Sequence, residues 1–97
     1  MAKIKTIEKT IWEVEGFDVK FKWHDGKDVH GNLDKNTKNY PYIKAAKNDM
    51  NVSEWKQTRF NPHYSGFEVD VLDGDGNKTD GHMKLGTLRD TYQDDEN

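Results

Sequence analysis

Ninety-seven residues are enough for one domain with a modest core and too few for two. Hydrophobic residues make up 32% of the chain and charged residues 34%, with a mean hydropathy of -1.14; three Trp, four Tyr and four Phe nevertheless supply a thin core. The absence of cysteine excludes disulfides, thiolate metal sites and cysteine nucleophiles, and no apolar run reaches membrane-spanning length.

The N-terminus, Met1-Ala-Lys-Ile-Lys-Thr-Ile-Glu-Lys9, is too charged for a signal peptide, so a soluble cytoplasmic protein without a membrane partner is expected. The net charge of -3 is unevenly spread. Residues 1–59 carry 12 Lys/Arg against 9 Asp/Glu, and residues 60–97 carry 3 against 9. An acidic second half disfavours polyanionic partners and favours a basic one.

Ile4, Ile7 and Ile11 have helical spacing, but the Thr and Ile content and the continuation through Trp12 and Val14 favour a strand from about Lys9. Glu15-Gly16 then offers a turn. Phe17, Val19, Phe21 and Trp23 alternate with Asp18, Lys20 and Lys22, which is the cleanest strand pattern in the chain and the second arm of a first hairpin. Residues 24–39 are rich in Asp, Gly, Lys and Asn and read as a long loop or an irregular hairpin. Tyr40-Pro41-Tyr42-Ile43 opens a segment, running to Lys47, that reads as a short helix or an edge strand.

Asn51 to Phe60 is the one helix expected: Asn51 with Glu54 forms a capping box, Met50 with Trp55 a hydrophobic staple, and Asn61-Pro62 ends it. A second hairpin is expected over 66–92. Phe67, Val69 and Val71 line one face of its first arm, a Gly/Asp turn follows, and the return arm from His82 to Tyr92 carries a bulge at Gly86. The acidic tail, residues 93–97, is expected to be disordered. Gly16-Phe-Asp-Val and Gly66-Phe-Glu-Val, with Asp25-Gly26 and Asp75-Gly76 at the same offset, echo each other across 50 positions. The echo reads either as a duplication or as two ordinary strands entering ordinary turns.

The expected fold is therefore α+β: one domain over residues 1–92, with two antiparallel hairpins forming a sheet and one short helix on it. The expected core is Trp12, Val14, Phe17, Val19, Phe21, Trp55, Phe67, Val69, Val71, Met83, Leu85 and Leu88.

No catalytic pattern stands out. Ser53 and Ser65 lack a nucleophile elbow, and Ser53-Glu-Trp-Lys56 matches Ser-x-x-Lys without companion motifs. His24, His30, His63 and His82 show no ligand-like spacing. Asp73, Asp75, Asn77 and Thr79 alternate as in a calcium loop, but Lys78 and Lys84 stand where Gly and Glu are needed, so a polar turn is the better reading. Neither a metal nor another cofactor is expected.

Function is expected to be non-enzymatic: a protein-protein interaction module of inhibitor or adaptor type, meeting a basic partner through Glu68, Asp70, Asp73, Asp75 and Asp80. The alternative is single-stranded nucleic acid or glycan binding through the Lys/Tyr/Trp-rich segment 35–59, with Tyr40, Tyr42, Lys44, Trp55 and Arg59 as contacts. A homodimer through an exposed sheet edge is a further option.

Overall fold

The computed structural model describes residues 2–33 and 37–92. The expected tail and part of the 24–39 loop, with Lys35, lie outside them. The isoleucine spacing decides the first element, which is the helix α1, Ile4–Glu15. Ile4, Ile7 and Ile11 are fully buried, and Gly16 ends the helix with φ of 84° while its N–H bonds the Trp12 carbonyl. The strand expected from Lys9 is thus corrected: burying the isoleucine stripe outweighs local β propensity. Trp12, placed in the expected core, lies on the outer side of α1 and is 41% exposed.

Strands β1, Asp18–Lys22, and β2, Glu68–Leu72, form a two-stranded antiparallel sheet. Val19 stands opposite Val71, Lys20 opposite Asp70 and Phe21 opposite Val69. The two-hairpin sheet is therefore replaced by one pairing across half the chain. After each strand the chain turns back through a single bridge, Lys22 to Asp28 and Leu72 to Lys78. The expected return arm at Gly86 is helix α3, Leu85–Asp90, with Leu85 and Leu88 buried.

Helix α2, Val52–Trp55, begins with the expected capping box: Asn51 Oδ1 accepts from Glu54 N–H, and Glu54 Oε1 from Asn51 N–H. It continues into a π turn, Lys56–Phe60, where Asn61 N–H reaches back five residues to the Lys56 carbonyl at 2.8 Å. Segment 40–47 forms neither helix nor strand.

The sequence echo has a counterpart in geometry. Gly26 and Gly76 both take positive φ, 88° and 84°, and their N–H groups bond Trp23 O and Asp73 O. Val29 N–H meets Phe21 O as Thr79 N–H meets Val71 O. Each return loop then caps a helix start: Ile4 and Lys5 N–H bond Leu33 and Gly31 carbonyls, and Val52 and Ser53 N–H bond those of Met83 and Gly81. Exchanging residues 50 apart maps the strand register onto itself, since Asp18 opposite Leu72 becomes Glu68 opposite Lys22. A quasi-two-fold axis thus passes through the Lys20–Asp70 pair. On the helices the buried equivalents are Ile4 with Val52, Ile7 with Trp55, and Ile11 with Phe60, where the π turn inserts one residue.

The core lies between the two halves. Phe17 packs edge-on against Trp55 at 5.2 Å, and Phe21 against Phe60 at 5.0 Å.

Candidate functional site

Alternation along β1 and β2 turns Val19, Phe21, Val69 and Val71 inward, which leaves Asp18, Lys20, Lys22, Glu68, Asp70 and Leu72 on the outer face. That face is crossed by ion pairs. Asp28 takes Lys20 at 3.4 Å and also Lys22, while Asp70 takes Lys22 at 3.7 Å and Lys78 at 3.6 Å. Bonding to Lys22 and then Lys20 holds the Asp28 carboxyl below its ordinary range, and the same Asp28 bond raises the Lys22 ammonium.

At the Lys22–Glu68 end of the sheet, His24 Nδ1 is 2.8 Å from Glu68 Oε2, and Nε2 is 3.3 Å from the Ser65 carbonyl. The Glu68 bond, then the Ser65 carbonyl, raises the His24 imidazole above its ordinary value. Trp23 rests on Phe67 with ring centroids 5.1 Å apart and stays 40% exposed. Between Trp23, His24, Lys56, Glu68, Asp70 and Lys78 lies an open hollow of about 280 Å³.

The five acidic residues expected to meet a partner separate into three kinds. Glu68, Asp75 and Asp80 are exposed. Asp70 is held between two lysines. Asp73 Oδ1 accepts from the N–H groups of Asp75 and Asn77 and so caps its own turn. Among the described residues, no group of three or more His, Asp or Glu side chains is placed to hold a metal ion.

The second candidate set is divided by burial. Tyr40 and Trp55 are buried, so neither ring is available for a ligand to stack on. Arg59 lies 4.3 Å above the Tyr42 ring and donates to Glu15 and to the Lys44 carbonyl. Lys44 is exposed and Tyr42 half-buried; the Tyr42 hydroxyl is 3.2 Å from His63, which with Lys38, Asn39, Pro41 and Pro62 bounds a hollow of about 230 Å³.

Beneath them is a buried polar hub with no signal in the sequence. Glu15 ends α1 with its side chain fully enclosed, and it accepts from Arg59 at 2.7 Å, Arg89 at 3.1 Å, Ala46 N–H at 2.9 Å and Tyr40 Oη at 2.6 Å. Trp55 Nε1 donates to the Tyr40 oxygen at 3.0 Å. Burial first, then Glu15, pushes the Tyr40 phenol well above its ordinary value, so it remains a donor. The Glu15 carboxylate at its centre is closed to solvent and every buried side-chain polar atom described is partnered, which marks the hub as structural.

Lys20, Lys22, Asp28 and Lys78 were not among the expected site residues. The alternation of Asp18, Lys20 and Lys22 carried the signal for two of them. Compared with protein-family models, with curated proteins and with solved structures, the chain matches none.

Proposed function

We propose that this chain is a small non-enzymatic module of inhibitor or adaptor type, acting in the cytoplasm, that binds another protein through the outer face of its two-stranded sheet. The observation that carries the reading is Trp23, exposed on Phe67 at the Lys22–Glu68 end of the sheet, where it lines one hollow with the outer-face charges Glu68, Asp70 and Lys78. A half-exposed aromatic anchor beside ordered charges is the chemistry of an interface centre, in which the ring supplies affinity and the charges set orientation. Glu68, with Asp75 and Asp80 along the turn, fits basic groups on the partner. No described helix is long and apolar enough to cross a membrane.

The test is capture from source lysate on the immobilised chain, compared with Trp23→Ala and Glu68→Lys. A saturable protein retained by the parent and lost from both variants is the expected result. Absence of any saturable protein contradicts the module, and retention unaffected by both variants moves the contact away from this face.

A second reading rests on the hollow beside Pro41: a glycan or single-stranded nucleic acid seated between Pro41, Pro62 and His63 with Lys38 in its wall, and with exposed Lys44 further along the same segment. Salt-sensitive oligonucleotide binding lost in Lys44→Glu supports the nucleic-acid form. Salt-insensitive binding of an oligosaccharide supports the other, and no binding of either removes both.

A further inference from the structure

The geometry points to a second copy of this chain as a partner, through exchange of the two quasi-equivalent halves. In such a dimer, residues 2–42 of one chain would be completed by residues 46–92 of the other. What binds the halves is the core itself. The β1–β2 ladder, the Phe17–Trp55 and Phe21–Phe60 contacts and both Glu15–Arg pairs all join one half to the other. Transferred between chains, each would be reproduced atom for atom, so closed monomer and exchanged dimer differ only in the segment joining the halves.

That segment is short and sharply bounded. Tyr42 docks on the second half, where its hydroxyl bonds the Thr58 carbonyl and His63, and Ala46 docks on the first, where its N–H bonds Glu15. Between them Ile43, Lys44 and Ala45 are exposed, Ile43 at 88%; the hydrogen bond here runs from Arg59 to the Lys44 carbonyl. Three residues must bend the chain back in the monomer, whereas extending them would send the second half to a neighbour. The quasi-two-fold arrangement supports this, because the halves already meet as two subunits of a symmetric dimer do. Exchange requires the core to open, so it belongs to folding at high concentration rather than to the encounter of folded monomers.

The chain has no cysteine, so a single reporter pair can be placed in it. Lys20→Cys with Asp70→Cys puts two thiols on directly opposed, solvent-facing strand positions. This full-length double variant is refolded from denaturant at low and at high protein concentration. Monomer and dimer are separated by size exclusion and treated with a short bis-maleimide. The monomer is expected to link within the chain, while most linked material in the dimer fraction runs as two chains on a denaturing gel. Deleting Ile43 and Lys44, which prevents the bend, is expected to shift the parent chain wholly to dimer. A dimer fraction linked only within chains would show closed monomers side by side and overturn the proposal. A refolded chain that is monomeric at every concentration would also overturn it, whether or not the deletion variant folds.

Discussion

Arg59 Nη1 meets Glu15 Oε2 at 2.7 Å, joining the π turn to the last residue of α1 across 44 positions of sequence. The carboxylate is fully enclosed while both arginine side chains keep 19% exposure, so the acid is the member that cannot be removed without loss. Glu15→Ala is expected to lower stability by about 3 kcal/mol or more, since two half-buried cations and the Ala46 amide lose their acceptor. Tyr40→Phe is expected to cost about 1–3 kcal/mol by leaving Trp55 Nε1 without an acceptor. Urea unfolding of each variant checks both values.

Gly66 before β2 and Gly74 after it give a paired prediction. A Cβ at Gly74 would fall 1.9 Å from the Thr91 carbonyl oxygen, a backbone atom that cannot swing aside, whereas at Gly66 nothing lies within 4 Å. Gly74→Ala is therefore expected to destabilise by about 1–3 kcal/mol, and Gly66→Ala to stay within about 0.5 kcal/mol of the parent. Thermal melts of the two variants side by side are sufficient.

How far the chain was legible depended on how local each signal is. The capping box at Asn51 and Glu54 lies within four residues, and both strands appeared where alternation placed them. Alternation tells which face of a strand is buried but not which strand lies beside it, so local pattern alone assigns β1 and β2 to separate hairpins rather than to each other. The 50-residue echo held the missing information. It extends to Val29 with Thr79, Gly31 with Gly81 and Leu33 with Met83, all in matching positions of the two return loops. Glu15 could not be singled out among 18 acids, because its environment is built by residues 25 to 74 positions away. The charged outer face was half legible: Glu68 and Asp70 were expected there, but not the lysines that Asp70 holds.

His24 gives the sheet end a pH dependence of defined sign. Its folded-state pKa lies above the ordinary value of 6.5 because Glu68, then the Ser65 carbonyl, favours the protonated ring. The stabilisation is therefore complete below that ordinary value and is lost as pH rises through the folded-state value. Chemical-shift titration of His24 is expected to show the raised midpoint, and Glu68→Gln to bring it down. A midpoint unchanged by Glu68→Gln would mean that the pair does not form in solution.

The account depends on β1 pairing with β2 rather than each strand with its sequence neighbour. The most direct measurement is of inter-strand proton contacts by nuclear Overhauser spectroscopy on the labelled chain. Contacts between the backbone α-protons of Val19 and Val71, and of Phe21 and Val69, are predicted from the register. Contacts of Val19 with Trp12 across a turn at Glu15-Gly16, with none to Val71, would instead show the first hairpin and contradict the quasi-two-fold fold and everything placed on its outer face.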